Sequence, residues 1–181
     1  MEREEIIDSV VIGHLEWSAR NIETTHSKYG MMPSSVWRDP KTMGPRALRF
    51  EGFGKLYLYE AALEAVPEGW RMPECKDWQH LMNLTGFSIN LRDRQKWQGD
   101  EFIEDARLDL GFNALPAGMW HERPVNAGLE ACFWCKCGTS LKVFRIGPEG
   151  FPCILEVPEG TMASLRVVRN IPKEYVRPLF R

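Results

Sequence analysis

Three of the five cysteines lie close together, in the stretch EACFWCKCG at residues 130–138. Cys132, Cys135 and Cys137, together with Cys153, could supply thiolates to a zinc ion or thiols to a redox reaction. A zinc site of this type usually needs two Cys-x-x-Cys turns, whereas this chain has one, and bulky aromatics fill it. A redox Cys-x-x-Cys would begin a helix, but this stretch is strand-like. We therefore predict buried packing cysteines, with no metal and no cofactor.

Strand geometry predicts which of these side chains share a face. Side chains alternate along an extended strand, so Cys135 and Cys137 point one way and Cys132 points the other. Trp134 and Lys136 then lie on the face opposite Cys135 and Cys137. If the cysteine face packs on the core, Trp134 and Lys136 are what this strand offers a partner.

A second group of candidate residues follows the apolar segment GFNALPAGMW at 111–120. Trp120, His121 and Arg123 could form a stacking and hydrogen-bonding corner of a ligand groove. The predicted ligand-binding residues are therefore Trp120, His121, Arg123, Trp134 and Lys136. No Ser/His/Asp motif, Gly-rich phosphate loop or spaced carboxylate pair stands out, so we predict that the protein is not an enzyme.

Two short helices are predicted in the first half of the chain. The segment GKLYLYEAALEAV at 54–66 has apolar residues at helical spacing. A clearer amphipathic helix begins near Pro73, carries Glu74 and Asp77 in its first turn, and ends at Gly86. The stretch DEFIEDARL at 100–108 suggests a further short helix.

The remaining pattern is β or irregular. Residues 9–22 predict a strand or hairpin with a turn at Gly13, and residues 24–50 predict an irregular loop rich in Pro and Gly. From about residue 129 the runs ACFWCKCG, LKVFRIG, PCILEV and MASLRVVRN predict strands. Because helices come early and strands late, we predict an α+β fold.

Composition limits the remaining possibilities. The net charge is −2, which gives no electrostatic case for binding nucleic acid. There is no apolar run that predicts membrane insertion, and the acidic start does not resemble a signal peptide, which predicts a cytoplasmic protein. An odd number of cysteines favours a reducing compartment. The length predicts one domain, residues 1–181, while the oligomeric state stays open.

Four ordered segments resemble one family, the Fibrobacter succinogenes major paralogous domain. They are VVIGHLEWSARNIETT (10–25), GKLYLYEAAL (54–63), VPEGWRMPECKDWQHL (66–81) and GFNALPAGMW (111–120). The resemblance spans about residues 10–170 and leaves 171–181 as a C-terminal tail. It departs from the family pattern at CFWCKC (132–137) and at MASLRVVRN (162–170), which lacks the usual cysteine.

The resemblance implies a fold more than an activity. It implies a C-type-lectin-like domain with two short helices and a mostly antiparallel, loop-rich β region. In such a domain the first and last strands, near 10–17 and 163–169, are expected to pair. It also implies a bacterial, Bacteroidetes-type cell-surface or secreted protein, in contrast to the cytoplasmic location that the start of the chain predicts. The Glu-Pro-Asn, Gln-Pro-Asp and Trp-Asn-Asp triplets of calcium-dependent lectins do not occur.

The leading functional hypothesis is therefore a non-enzymatic binding module that recognises a glycan or protein ligand without a classical calcium site. One alternative is a metal- or thiol-dependent enzyme that uses Cys132, Cys135, Cys137 and Cys153. A second alternative is a structural or receptor-binding tip subunit of a larger assembly.

Overall fold

The computed structural model describes residues 7–23, 26–27, 30–31, 36–38, 45–50, 52–98, 108–148 and 150–172. Within these ranges the helices are α1 (Tyr59–Glu64) and α2 (Cys75–Thr85), with a 3-10 helix at Ser88–Leu91. The first strands are β1 (Ser9–Ile12), β2 (Leu15–Ser18), β3 (His26–Ser27), β4 (Gly30–Met31), β5 (Val36–Arg38), β6 (Pro45–Phe50) and β7 (Gly54–Tyr57). The later strands are β8 (Met119–His121), β9 (Arg123–Val125), β10 (Ala131–Cys135), β11 (Lys142–Ile146), β12 (Cys153–Glu156) and β13 (Val168–Asn170).

The N-terminal hairpin and the last described strand form one antiparallel sheet in the order β1-β2-β13. Gly13 adopts a φ of 67° in the tight turn, a conformation that costs glycine little. Trp17 on β2 lies opposite Val168 on β13. The predicted pairing of the first and last strands is therefore confirmed, and it holds the two ends of the domain together.

The prediction of an irregular loop over 24–50 is wrong at β5 and β6. These strands form an antiparallel sheet with β7 in the order β5-β6-β7. Pro45 begins β6, a position where a strand tolerates proline because no ladder N–H is required. The helix predicted over 54–66 begins only at Tyr59, since residues 54–57 are a buried strand whose Tyr57 also bridges to Ala163.

Helix α2 matches its prediction closely. Trp78 and Leu81 are buried on its inner face, and Gly86 ends it with a φ of 66°. Glu74 is the N-cap residue, and its backbone N–H donates to the Asp77 carboxylate at 2.7 Å, which satisfies a donor that the helix leaves unpaired. Pro73 lies just before this cap rather than in the first turn.

The late part of the chain forms the antiparallel sheet β10-β11-β12. All five residues of β10 are buried because the strand separates two apolar clusters. Phe133 and Cys135 face the cluster built around Trp78, while Cys132 and Trp134 face the cluster that contains Tyr57. The strands predicted after residue 129 are confirmed, and the fold is α+β with two helices and antiparallel sheets.

Two further predictions concern the segments between the helices and the late sheet. The segment 111–120 is largely buried but extended and irregular before β8, with Ala114 hydrogen-bonded to the backbone of Leu91. The short helix suggested at 100–108 falls almost entirely outside the described residues. None of the helices in the described part of the chain is both long and apolar enough to cross a membrane.

Candidate functional site

A polar cleft of about 600 Å³ lies between the β1–β2 turn, the first turns of α2 and the end of β13. The turn contributes His14 and β13 contributes Asn170. The pairing of β13 with β2 brings the end of β13 next to the β1–β2 turn. The backbone N–H of Ile171 lies 3.4 Å from the His14 carbonyl oxygen. The other lining residues are Arg71, Glu74, Lys76, Asp77, His80 and Ile171.

An ion pair between Arg71 and Asp77 organises one wall of this cleft. The Arg71 guanidinium donates hydrogen bonds to both oxygens of the Asp77 carboxylate, and one of the two N–O distances is 3.0 Å. The same guanidinium approaches the Asn170 side-chain oxygen at 3.4 Å. Burial alone would raise the pKa of Asp77, but hydrogen bonds from Arg71 and from the Glu74 backbone hold that pKa below its usual range.

Two histidines line another part of the cleft. The ring centroids of His14 and His80 lie 4.3 Å apart. Burial lowers the pKa of His80, and the neighbouring His14 lowers it further. A Cβ at Gly13 would lie only 2.6 Å from the His80 Nε2 atom, so the missing side chain at Gly13 makes room for the imidazole.

The cysteines divide into two groups on the two faces of β10. Cys75 at the start of α2 forms a disulfide with Cys137, with 5.4 Å between their Cα atoms. The Cys135 sulfur lies 3.0 Å from the Cys137 sulfur and 3.8 Å from the Cys75 sulfur. Burial raises the pKa of the Cys135 thiol to about 12. The predicted sharing of a face by Cys135 and Cys137 is confirmed.

The four-cysteine set proposed for metal or thiol chemistry is wrong in two of its members. Cys132 is fully buried on the other face of β10, and burial raises the pKa of its thiol. Cys153 is a half-buried free thiol that lies opposite Arg145 in the β11–β12 ladder. Because side chains alternate along β10, Cys132 points away from Cys135 and Cys137. The third sulfur close to those two belongs to Cys75.

The hairpin β8–β9 carries three of the predicted ligand-binding residues. Trp120 and His121 are half-buried on β8, while Arg123 is exposed on β9 directly opposite His121. The buried Nδ1 atom of His121 has no hydrogen-bond partner among the described residues. The structure therefore brings Trp120, His121 and Arg123 together on one hairpin, although their role as ligand contacts remains a prediction.

The other two predicted residues lie elsewhere. Trp134 is fully buried, and its indole N–H donates to the Tyr57 carbonyl oxygen at 2.7 Å. The expectation that Trp134 faces a partner is therefore wrong, because both faces of β10 are covered. Lys136 is exposed, and its backbone N–H donates to the Pro73 carbonyl oxygen at 2.9 Å, beside the start of α2.

Most of the cleft residues were not predicted from the sequence. A helical spacing of three residues between Asp77 and His80 already indicated a shared face. Nothing local linked that face to His14 or Asn170, since only the pairing of distant strands brings those residues there. Cys75 was missed for the same reason, being 62 residues away from its partner Cys137.

The fold and site together define a class: an α+β domain whose first and last described strands pair beside a small polar cleft. Residues 10–144 match the model of the Fibrobacter succinogenes major domain, and the chain belongs to that family. Searches among curated proteins and among solved structures find no match.

Proposed function

We propose that the protein is a non-enzymatic binding module that holds a hydroxyl-rich ligand, a glycan, in the cleft beside α2. The observation that carries this proposal is the cleft itself. Its volume of about 600 Å³ lies within the range of small-ligand sites. Its walls combine imidazole, amide, carboxylate and guanidinium groups, which supply both hydrogen-bond donors and acceptors.

The charges in the cleft favour a neutral ligand over an ionic one. Arg71 is paired with Asp77, and the Lys76 ammonium lies 2.8 Å from a carboxylate oxygen of Glu74. Two positive and two negative side chains therefore offset each other within the wall. A sugar hydroxyl can donate to one of these groups and accept from its neighbour, so it matches a wall with paired charges and no net charge.

The ion pair also supports binding by fixing the wall in advance. Both the side chain and the backbone of Arg71 are fixed by hydrogen bonds. Its guanidinium donates to the Asp77 carboxylate, and its backbone N–H and C=O pair with Val168 through hydrogen bonds of 2.9 Å. Binding to a side chain that is already fixed costs less conformational entropy than binding that must first order a flexible side chain. This rigidity favours a specific glycan site over a loose protein-contact surface.

A finer fold assignment supports the same class of function. We infer that the domain is C-type-lectin-like, as the family resemblance implied. The pairing of β2 with β13, the two helices and the antiparallel sheet β10-β11-β12 are consistent with that arrangement. Fold alone does not define function, so the cleft and its residues carry the argument.

Binding to a panel of immobilised glycans, with unrelated peptides as a second panel, tests the proposal. We expect the folded protein to retain a glycan, and we expect His14→Ala and Asn170→Ala to weaken that binding. His14 has no contact with the Arg71–Asp77 pair among the hydrogen bonds described, and Asn170 has only a long contact of 3.4 Å with Arg71, so both substitutions leave the two bonds between Arg71 and Asp77 in place.

Variants of the β8–β9 hairpin provide the matched control. His121→Ala and Arg123→Ala should leave glycan affinity unchanged if the cleft is the site. If the hairpin variants lose binding and the cleft variants keep it, the ligand site is the one first predicted from the sequence. Retention of peptides alone would refute a glycan site and favour a protein partner.

A further inference from the structure

A cluster of three sulfur atoms lies on the inner side of α2, away from the ligand contacts proposed above. The sulfur atoms of Cys75, Cys135 and Cys137 all lie within 4.8 Å of one another. Metal–sulfur bonds of about 2.3 Å place sulfurs around one ion less than about 4.6 Å apart, and the Cys135 sulfur lies 3.8 Å from that of Cys75 and 3.0 Å from that of Cys137, within this limit.

Backbone contacts hold the two segments of this cluster together independently of the disulfide. The Lys136 N–H donates to the Pro73 carbonyl oxygen at 2.9 Å, and Glu74 and Lys136 form a parallel bridge. Cys75 follows this bridge on α2, while Cys135 and Cys137 flank it on the other segment. The three sulfurs therefore stay neighbours when the Cys75–Cys137 bond is reduced.

The charges around the cluster act in both directions. Cys75 is the first residue of an eleven-residue helix, where the helix dipole favours a thiolate. Burial and the Asp77 carboxylate disfavour a thiolate at Cys135, and Lys142, opposite Cys135 in the β10–β11 ladder, offsets this only in part. The geometry of the three sulfurs therefore carries the inference.

We propose that Cys75, Cys135 and Cys137 form a three-thiolate site for a soft univalent metal ion, Cu⁺, in the reduced protein. No carboxylate, imidazole or further thiol of the described residues completes a four-ligand cluster with them. Structural zinc almost always takes four protein ligands, and zinc with three protein ligands is typical of sites that include His or carboxylate and keep a water, whereas an all-thiolate set of soft donors suits Cu⁺. A set of three sulfurs therefore fits Cu⁺ better than Zn²⁺.

The disulfide and the metal-bound site are alternative states of the same residues. Reduction by a phosphine breaks the Cys75–Cys137 bond and gives two thiols, while the phosphine and one water become a phosphine oxide. Cu⁺ then replaces the protons of three thiols and releases them to solvent. Cys75 is the most exposed of the three residues and marks the side from which the ion enters.

Competition with a chromogenic Cu⁺ chelator, bicinchoninate, tests the proposal on the full chain. The protein is reduced with a phosphine without oxygen, desalted and titrated with Cu⁺. We expect one Cu⁺ per chain and thiolate-to-copper absorption in the ultraviolet. The oxidised protein, which keeps its disulfide, should not compete with the chelator.

Single substitutions separate this site from general thiol binding. Cys135→Ser leaves the Cys75–Cys137 pair able to form and should lower the apparent Cu⁺ affinity by more than about tenfold. Cys153→Ser removes a free thiol outside the cluster and should leave affinity unchanged. Circular dichroism of each variant checks that its fold is intact.

Three outcomes would overturn the proposal. The first is wild-type protein that retains no Cu⁺ against the chelator. The second is equal Cu⁺ affinity in the wild type and the folded Cys135→Ser variant. The third is preferential retention of Zn²⁺ that Cu⁺ does not displace, because a site selective for a soft univalent ion would exchange Zn²⁺ for Cu⁺.

Discussion

Replacing Asp77 by Asn tests whether the Arg71–Asp77 ion pair holds the cleft and the start of α2 in place. The Asp77 side chain is only 4% exposed, whereas that of Arg71 is 34% exposed. A hydrogen bond to a charged group contributes about 1.5–3 kcal/mol, and Asn keeps only one of the two acceptor oxygens. We expect Asp77→Asn to lower the free energy of unfolding by roughly 2–3 kcal/mol.

Chemical denaturation at neutral pH measures this loss, and a thermal melt gives a second reading. For a chain of this size each kcal/mol lowers the melting temperature by about 2–4 °C, so the shift is roughly 4–12 °C. Glu74→Gln is the matched control, because the Glu74–Lys76 pair is largely exposed and solvent screens it, so its loss should change stability far less than loss of the Asp77 pair.

The pH dependence gives an independent check on the same pair. The pKa of Asp77 is lowered in the folded state, so its contribution is fully present above its unfolded pKa of about 3.9. It is lost as the pH falls through the lowered folded value. The stability gap between wild type and Asp77→Asn must therefore narrow in acid. A loss below about 1 kcal/mol at neutral pH, or a gap that stays constant in acid, would refute the reasoning.

Three further predictions concern the surroundings of the cleft and the core. Gly13→Ala should lower the free energy of unfolding by roughly 1–3 kcal/mol in chemical denaturation, because a Cβ there meets His80 at a positive φ; unchanged stability would contradict the tight approach. An NMR titration of His80 should give a pKa below the usual value of about 6.5, and the His80 pKa should be higher in His14→Gln than in the wild type. Because the unfolded state then binds a proton at a higher pH than the folded state, the free energy of unfolding should fall as the pH is lowered through the unfolded pKa of His80. An unchanged His80 pKa in His14→Gln would refute the coupling of the two rings. Arg166→Met should lower the free energy of unfolding by at least about 3 kcal/mol, since it removes the donors to the buried backbone carbonyls of Ser18 and Phe112 and to the part-buried carbonyl of Asn113. Arg169→Met, which removes a largely exposed ion pair, should cost about 1 kcal/mol or less in the same assay.

Local periodicity was sufficient to predict α2 and the late strands. Trp78 and Leu81 recur at helical spacing and are both buried on one face of α2, and Gly86 ends the helix as expected. The strands after residue 129 are short β-rich runs between turns, so their existence also followed from local pattern. The pairing of β2 with β13 followed from the family resemblance and the order of elements rather than from any one residue.

Tertiary context decided the features that local pattern could not predict. Trp134 was expected on an exposed face because alternating side chains of an antiparallel strand usually lie on one buried face and one solvent-exposed face. Here β10 lies between two apolar clusters, and both of its faces are dry. The cleft was not predictable for a related reason, since His14, Asp77 and Asn170 meet only through strand pairing and helix docking.

The first turn of α2 links the two sites proposed here. Cys75 points toward β10, while Asp77 lies two residues later and faces the cleft with Arg71. The Asp77 carboxylate also accepts the Glu74 N–H, and Glu74 bridges to Lys136 between the other two cysteines of the cluster. One hydrogen-bonded turn therefore positions a wall of the cleft and a ligand of the sulfur cluster. Because those positions share one helical turn, we expect reduction of the Cys75–Cys137 bond to shift the NMR signals of Asp77 and Arg71, and unchanged signals would show that the two sites are independent.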